Sequence, residues 1–364
     1  MLWGMEEFLS LDGSVGEGGG QVLRVAVALS AILGKQLHVY NIRKKRQNPG
    51  LRHQHLTAVK AVSMACSGKL QGAEIGSTEL RFSPGKIKAS SLSLDTGTAG
   101  STTLVLQSLL PVLCFGSTPC TFTIRGGTNN PNAPTIEYFE KIFIPAIAHA
   151  GVESGVKLLK RGFYPRGGGI VEGYVRPVKK LAAFNLVGRP RILEIMGLAY
   201  TSKLPAHVAE RMASSCEKHL AAKGYRRVSI SREVLDERDE RCAVDPGAGI
   251  FLMAVCEDGV VLGVDKLGER GVPAERVGEE AAAELVDELS RGAPVDKHLG
   301  DMLVIYSALA DGRSVYEVSR LTSHTATSIK VCEALTGCKA RIEGGINERA
   351  VITIEGTSHV NNNI

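Results

Sequence analysis

Residues 11–43 read LDGSVGEGGGQVLRVAVALSAILGKQLHVYNIR, and residues 94–125 read LDTGTAGSTTLVLQSLLPVLCFGSTPCTFTIR. Both stretches begin with Leu-Asp, pass through a glycine-rich turn and enter an apolar run with helical spacing. Each run then breaks at a glycine, Gly34 or Gly116, and continues as an alternating strand that ends in Ile-Arg. This similarity predicts a supersecondary unit that the chain uses more than once.

Each of these strands leads into a Pro/Gly/Asn loop, a second helix that stops at a glycine, and a hairpin-like pair of alternating runs. A third copy follows late in the chain, with a helix over 296–312, the strand RSVYEVSRL, a helix over 322–337 and the hairpin ARIEGGINERAVITIEG. The sequence therefore predicts an α+β main body of three repeated helix–strand–helix–hairpin units.

The third copy begins much later than the spacing of the first two would place it, which indicates an insertion. Residues 186–277 carry their own strand and helix patterns and are predicted to form a smaller α/β domain. We thus expect the main body over residues 1–185, with copies one and two, and over 278–364, with copy three. A helix over 270–292 is expected to lead back to the main body.

The composition is that of an ordinary globular protein, with 364 residues, 44% hydrophobic and 22% charged. The net charge of +5 is too small to indicate nucleic-acid binding by itself. None of the eight cysteines forms a C-x-x-C pair, and most lie in apolar runs, which favours reduced thiols and a cytoplasmic location. No apolar stretch reaches the length of a membrane span, so we expect no membrane association.

The turn GEGGGQ at residues 16–21 opens the first predicted helix. It lacks the G-K-[ST] end of a P-loop and the third glycine of a dinucleotide-binding fingerprint. Glycine-rich backbone at a helix N-terminus can still hold an anion. The turn is either purely structural or a site where Glu17 binds a divalent metal ion.

A basic segment, RKKRQNPGLRHQH at residues 43–55, ends at a predicted helix start with Gln54 and His55. It is either a solvated loop or a phosphate-binding segment, and its charge does not distinguish a nucleotide from a nucleic acid. His324 lies in TSHTATS at residues 322–328, another predicted helix start. There a histidine caps the helix without chemistry, or stays neutral and acts as a nucleophile. Asp301 is either a first-turn acid or an orienting or ribose-binding carboxylate.

Six motifs occur together and in order: LDGSVGEGGGQVLR, IRKKRQNPGLRHQHLTAVKA, GTAGSTTLVLQSLLP, GGTNNPNAPTIEY, GFYPRGGG and TSHTATS. In combination they resemble the RNA 3′-terminal phosphate cyclases over nearly the whole chain. The resemblance implies a triple-repeat body with a small inserted domain. It also implies that ATP adenylates a histidine, that AMP passes to an RNA 3′-phosphate, and that the 2′-hydroxyl then closes a 2′,3′-cyclic phosphate.

Residue by residue, the resemblance implies His324 as the nucleophile and Glu17 as the residue near Mg²⁺ or Mn²⁺. It implies phosphate or RNA contacts for Arg24, Arg43, Arg46, Gln54 and His55. It implies a nucleoside pocket of Gln107, Pro134, His298, Leu299, Gly300, Asp301 and Met302. His298 stands where the family has tyrosine, Met302 where it has glutamine, and Ser328 where it has asparagine, so nucleotide preference is the property most affected.

One alternative from another class is a non-catalytic cyclase-like RNA-binding factor in RNA processing or ribosome assembly. Such a relative lacks the nucleophilic histidine, whereas His324 is present here. The partners expected under the first interpretation are ATP and an RNA with a 3′-phosphate end, without an obligate protein partner. The inserted domain carries no evident catalytic cluster, and the sequence assigns it no role.

Overall fold

The computed structural model describes residues 8–364, apart from the side chain of Asp258. Over this range the chain is an α+β protein, as predicted, with helices packed on mixed sheets. Its first sheet has the strand order β1-β2-β4-β3, in which β1 is parallel to β2 and β4 is antiparallel to β2 and β3. The elements are β1 (Leu9–Asp12), α1 (Gly20–Leu33), β2 (Leu37–Tyr40), α2 (His53–Ala65), β3 (Lys69–Gln71) and β4 (Leu80–Ser83).

The second sheet has the corresponding order β5-β6-β8-β7, again with a parallel first pair and antiparallel later pairs. A five-residue π-helical segment, Phe139–Phe143, joins the two short helices between β6 and β7. The elements are β5 (Ser91–Asp95), α3 (Thr102–Cys114), β6 (Cys120–Gly126), α4 (Ile136–Tyr138), α5 (Ile144–Ala148), β7 (Ser154–Lys160) and β8 (Gly169–Val175).

After the two-residue strand β9 (Asn185–Leu186), the chain enters a separate sheet of order β11-β10-β12-β13. Two helices cover one face of this sheet and enclose a second hydrophobic core with it. The elements are β10 (Ile192–Ser202), α6 (Ala206–Ala222), β11 (Val228–Leu235), β12 (Gly247–Cys256), β13 (Val261–Leu267) and α7 (Ala274–Ser290). Residues Val277 to Leu289 of α7 pack in this second core against α6, so the division expected at residue 277 falls within α7.

The last sheet has the order β9-β14-β16-β15, with β9 parallel to β14 and the hairpin antiparallel. The strand that precedes the first helix, present as β1, β5 and β9, was not predicted because it spans only two to five residues. The remaining elements are α8 (Leu299–Met302), α9 (Val304–Leu309), β14 (Arg313–Val318), α10 (Ser323–Thr336), β15 (Lys339–Glu343) and β16 (Ala350–Glu355).

The main hydrophobic core extends across the first, second and last sheets, with α1 at its centre. Helix α1 is buried almost throughout and packs against α2, α3 and α10. A helix that is apolar on all sides is stable only when other elements surround it. The N-termini of α1 and α10 are thereby brought together. Among the described residues, no helix is long and apolar enough to cross a membrane.

A buried polar network joins the main body to the inserted sheet. The Arg161 side chain is 1% exposed and its guanidinium lies 2.6 Å from Glu137 and 2.6 Å from Glu233. The same guanidinium stacks over the ring of Tyr200, 3.9 Å from its centroid. The Asn129 amide donates to Glu137 at 2.8 Å and to the Tyr200 hydroxyl at 2.9 Å. Because a buried arginine needs all of these partners, the network fixes the inserted sheet against the main body.

Candidate functional site

A cavity of about 800 Å³ opens where these elements meet. Its walls come from α1, from α3 and the loop after β6, from the loop before β8, from the inserted strands β12 and β13, and from the starts of α8 and α10. The residues that line it are Gln21, Arg24, Leu104, Gln107, Asn129–Thr135, Tyr138, Phe163, Tyr164, Pro246–Ala248, Asp265–Arg270, His298, Asp301 and His324.

His324 lies in the first turn of α10. The helix is capped by Thr322, whose Oγ1 accepts a hydrogen bond from the Thr325 N–H at 3.1 Å. The imidazole Nδ1 lies 3.4 Å from Glu17 Oε2, and 51% of the side chain is exposed, into the cavity. Enclosure by the cavity walls lowers the pKa of His324 below 6.5; Arg24 and Arg46 lower it further, and Glu17 opposes them. The ring is therefore neutral at pH 7.

The glycine-rich turn places Glu17 beside this histidine. Gly16 has a left-handed φ of 60° and packs so closely on α10 that a Cβ there would lie 2.1 Å from Thr327 Oγ1. A Cβ at Gly20 would lie 2.3 Å from His55 Nε2. The carboxylate of Glu17 also lies 3.4 Å from Arg46. Side chains at these glycines would separate the turn from both helices, so the glycines set the geometry of the site.

Arg24 is the cation that faces the cavity from α1. Its Nη2 donates to Gln21 Oε1 at 2.6 Å, and Gln21 Nε2 donates to Ser328 Oγ on α10 at 3.0 Å. Its Nε is buried and has no hydrogen-bond partner among the described residues. Burial lowers the pKa of Arg24 to about 10, against the attraction of Asp301, so the group stays charged at pH 7. A buried cation with an unused donor favours a bound anion. Gln21 was missed from the sequence, because its partner lies far away in the chain.

The basic segment surrounds this position without lining the cavity. Arg43 Nη1 donates to the carbonyls of Asn48 at 2.7 Å and Gly50 at 3.1 Å, which organises its own loop. His55 is buried and its Nδ1 accepts from the Arg52 N–H at 3.2 Å, so Nε2 carries the hydrogen. Burial and neighbouring arginines lower the pKa of His55 to about 3. Gln54 lies in the first turn of α2.

Only part of the predicted nucleoside pocket lines the cavity. Gln107, Pro134, His298 and Asp301 line the cavity, and the Pro134 carbonyl accepts from Thr103 Oγ1 at 2.7 Å. The His298 ring meets Tyr138 edge-on, with centroids 6.2 Å apart. Leu299, Gly300 and Met302 are buried in the protein and lie outside the cavity lining. Burial raises the pKa of Asp301 to about 7, and Arg24 opposes this rise.

The inserted unit supplies a wall that the sequence did not indicate. Asp265 Oδ2 accepts from the Thr135 N–H at 2.6 Å and thereby ties β13 to the start of α4. Burial raises the pKa of Asp265. Residues 246–248 and 266–270 complete this wall. The motifs GGTNNPNAP and GFYPRGGG, which face it, are visible in the sequence, but apart from Pro134 none of their residues is assigned a role there.

No group of three or more His, Cys, Asp or Glu side chains within residues 8–364 is arranged to hold a metal ion. Glu17 is the carboxylate beside His324, with its side chain 32% exposed. One carboxylate suits a hard cation such as Mg²⁺ or Mn²⁺ that keeps water and phosphate oxygens as its other ligands. It does not suit a metal held by a complete protein cage.

The cavity combines a neutral imidazole with a buried arginine that has an unused donor, and the Glu17 carboxylate lies beside the imidazole. This set is typical of an enzyme that transfers a phosphoryl or nucleotidyl group, since charge neutralisation and an unprotonated nucleophile are what such transfer needs.

Comparisons with known proteins name the family. The model of the RNA 3′-terminal phosphate cyclase family matches residues 15–342. A protein named RNA 3′-terminal phosphate cyclase from Desulfurococcus amylolyticus is 43% identical over 354 residues, covering 96% of this chain and 99% of the relative. The proteins of that name from Staphylothermus marinus and Pyrococcus furiosus are 44% and 41% identical, over 96% and 94% of this chain and 98% of each relative. The chain belongs to the RNA 3′-terminal phosphate cyclase family.

Proposed function

We propose that this protein converts an RNA 3′-terminal phosphate into a 2′,3′-cyclic phosphodiester at the expense of ATP. His324 Nε2 attacks the α-phosphorus, the N–P bond forms, and the bond to the β-phosphate oxygen breaks to release pyrophosphate. An oxygen of the RNA 3′-phosphate then takes the AMP from the histidine. The RNA 2′-hydroxyl finally attacks the activated phosphorus, loses its proton and expels AMP.

The observation that carries this proposal is the position of His324 at a helix N-terminus, in one cavity with Arg24 and Asp301. Nδ1 faces Glu17, which favours the tautomer with the hydrogen on Nδ1 and the lone pair on Nε2. The lowered pKa of His324 keeps that lone pair available at pH 7. Protonation of the ring in the adenylated state makes imidazole a good leaving group for the second step.

We assign the nucleotide to the side of the cavity lined by Gln107, Pro134, His298 and Asp301, with Asp301 accepting from ribose hydroxyls and Arg24 contacting phosphate oxygens. Arg46 and the Nε2–H of His55 stand behind the glycine-rich turn and add positive potential and a hydrogen-bond donor. Arg43 and Gln54 act by shaping the basic segment. Leu299, Gly300 and Met302 act by packing beneath the pocket.

Glu17 is the residue that would hold Mg²⁺ or Mn²⁺. A bound divalent cation would neutralise charge on the triphosphate. Among the protein side chains, Arg24 and the hydrogen-bonded Gln21 position the phosphates on the other side of His324.

The test is incubation with ATP labelled at the α-phosphate, followed by denaturing electrophoresis of the wild type and of His324→Ala. We expect label on the wild type alone, stable in alkali and lost in acid, as for a phosphoramidate. Absence of label on folded, metal-supplied wild type would overturn the covalent mechanism. The chain would then be assigned as a non-catalytic RNA-binding factor in RNA processing or ribosome assembly.

We further propose that the main body consists of three related units, which the shared strand order of its sheets supports. The inserted domain is proposed to run from about residue 187 to about residue 292, since α7 packs in its core. All eight cysteines are buried and unpaired, which supports a reducing compartment, the cytoplasm. ATP and an RNA with a 3′-phosphate end are the proposed partners.

A further inference from the structure

We propose that the wall made by Tyr164 and by residues 268–270 of the inserted unit binds the last nucleotides of the RNA strand. Tyr164 stacks on a base and Arg270 contacts a backbone phosphate. This inference rests on the proposed function, because the RNA 3′-phosphate must reach the phosphorus carried by His324. The strand then enters through the part of the cavity that the nucleotide leaves open.

Two anchors hold Tyr164 in place. On one side, the buried Phe163 ring stacks on Tyr200 with centroids 6.3 Å apart, and it packs on Gly247, where a Cβ would lie 2.3 Å from the ring. On the other side, the Arg166 N–H and Nε each donate to the Asp245 carboxylate at 2.8 Å. The loop before β8 is thus clasped to the inserted unit on both sides of Tyr164.

Between these anchors, Tyr164 is 72% exposed although it lines the cavity. A ring so exposed contributes little to the hydrophobic core. Single-stranded RNA is recognised by splayed bases that stack on such aromatic side chains, because every base offers a flat face. An exposed tyrosine held by rigid anchors is therefore suited to a base near the RNA end.

Arg270 supplies the charge on the same wall. The Gly268 N–H donates to the Ala248 carbonyl at 2.9 Å, which joins the end of β13 to the segment that carries Gly247. Lys266, two residues before Gly268, is already paired with Glu280 at 2.9 Å. Arg270 is exposed and forms no ion pair with any residue in the described part of the chain. Its guanidinium is therefore available for a phosphate.

The labelling of His324 from ATP reports nucleotide chemistry, whereas the KM for RNA in the complete reaction reports RNA binding, so the two can be measured separately. For Tyr164→Ala we expect the KM for a 3′-phosphorylated RNA to rise about tenfold, the change that loss of one stacked base produces. Labelling of His324 from ATP should be unchanged. Tyr164→Phe should behave as the wild type, since it keeps the ring. Tyr174→Ala, a half-exposed tyrosine on β8 outside the cavity, controls for the loss of a ring.

Salt dependence tests the arginine. Arg270→Ala should reduce the slope of log affinity for RNA against log salt by about 0.7, the value for one contact with a single strand. Arg238→Ala, in the same inserted unit, 92% exposed and paired with Asp236, should leave the slope unchanged. Suppose that the wild type cyclises RNA. If Tyr164→Ala then leaves the KM for RNA unchanged, or Arg270→Ala leaves the salt slope unchanged, this inference alone is overturned. A wild type that takes no label from ATP would instead overturn the proposed function.

Discussion

His324 is subject to opposing electrostatic effects. Enclosure, Arg24 and Arg46 disfavour its protonated form, whereas Glu17 at 3.4 Å favours it, and the net result is a lowered pKa. Glu17 therefore orients the ring without making it cationic. The chain thus keeps a histidine reactive in a cavity that also has to attract a polyanion.

This balance predicts the pH dependence of the first half-reaction. With ATP well below saturation, so that the free protein is what titrates, the second-order rate constant of labelling should fall as the pH is lowered, with a midpoint below 6.5, the ordinary pKa of histidine. The reason is that only the neutral ring attacks. Single-turnover labelling on both sides of that pH measures the rate constant. A midpoint above 6.5 would show that Glu17 dominates and would contradict the lowered pKa.

Asp301 is a site residue whose burial lowers the stability of the folded protein. Its pKa of about 7 in the folded protein exceeds the ordinary 3.8, so the folded state holds a proton that the unfolded chain releases. Stability therefore falls as the pH rises from 3.8 to about 7. This net rise in pKa, which already includes the opposing effect of Arg24, corresponds to about 4 kcal/mol.

Asp301→Asn should therefore raise the free energy of unfolding at about pH 8 by about 2 kcal/mol while impairing ATP use. The gain should disappear at about pH 4, where the carboxyl group is protonated in the folded protein. Urea unfolding at both pH values measures it. Asp311→Asn is the control, because the pKa of that exposed carboxyl is lowered and its replacement should not stabilise the protein. An equal effect at both pH values would refute the argument.

At this scale, His324 and Asp301 could be picked out from their positions at predicted helix starts and Arg24 from the family resemblance, and all three line one cavity. Gln21, Asn129 and Tyr164 could not, because amides and phenols are common everywhere. Their position depends on contacts such as Gln21 with Ser328, which sequence spacing does not encode. Arg43 is predicted as a phosphate ligand, and in the structure its Nη1 donates to carbonyls of its own loop.

At the scale of elements, the turn between β1 and α1 is pressed against the start of α10. In the corresponding turn between β5 and α3, a Cβ at Gly97 would meet no atom within 4 Å, whereas one at Gly16 would overlap Thr327. Both glycines have a left-handed φ, of 60° and 67°. Substitutions at these two glycines therefore distinguish the effect of backbone strain from the effect of the contact with α10.

Gly97→Ala should cost about 1–2 kcal/mol of stability from strain alone. Gly16→Ala should cost more and should also slow the labelling of His324 severely, because it moves Glu17 away from the ring. Thermal unfolding and single-turnover labelling of both variants give the comparison. Equal labelling rates would mean that the turn is not what positions the histidine.

The long helices were predictable because their apolar runs have helical spacing and end at glycines, as α1 does at Gly34 and α10 at Gly337. The strands β1, β5 and β9 were too short to show alternation. The second helix of the second copy is interrupted by the π-helical segment Phe139–Phe143, which no residue pattern indicates. Helix α7 was expected to lead back to the main body, but which core its apolar stripe faces depends on α6.

At the scale of the whole molecule, one buried cation is among the groups that fix the inserted unit to the main body. Arg161 satisfies Glu137 of the main body and Glu233 of the inserted unit, and the same network holds Asn129 at the cavity. Its removal would leave the buried Glu137 carboxylate without a counter-ion, whereas Glu233 would keep Arg241 at 2.8 Å. The inserted wall would then no longer be held in a fixed position relative to Asn129 and the rest of the cavity.

Arg161→Ala should lower the free energy of unfolding by about 3–5 kcal/mol, the cost of leaving the buried Glu137 carboxylate unpaired. It should also raise the KM for RNA if the inserted wall binds the strand. Arg211→Ala removes an exposed arginine paired with Glu275 and should produce a much smaller change in both. Urea unfolding and steady-state kinetics provide the readouts, and similar losses in the two variants would contradict this role of Arg161.

The hydrogen bond between Gln21 and Ser328 joins residues 307 positions apart. During synthesis a ribosome delivers Arg24 and the glycine-rich turn early, then Gln107 and Pro134, then the whole inserted unit, then His298 and Asp301, and His324 last among the residues that line the cavity. A growing chain can therefore gather phosphate-binding groups while it still lacks the atom that forms a covalent bond. The order of translation itself delays the chemistry until every other wall has been made.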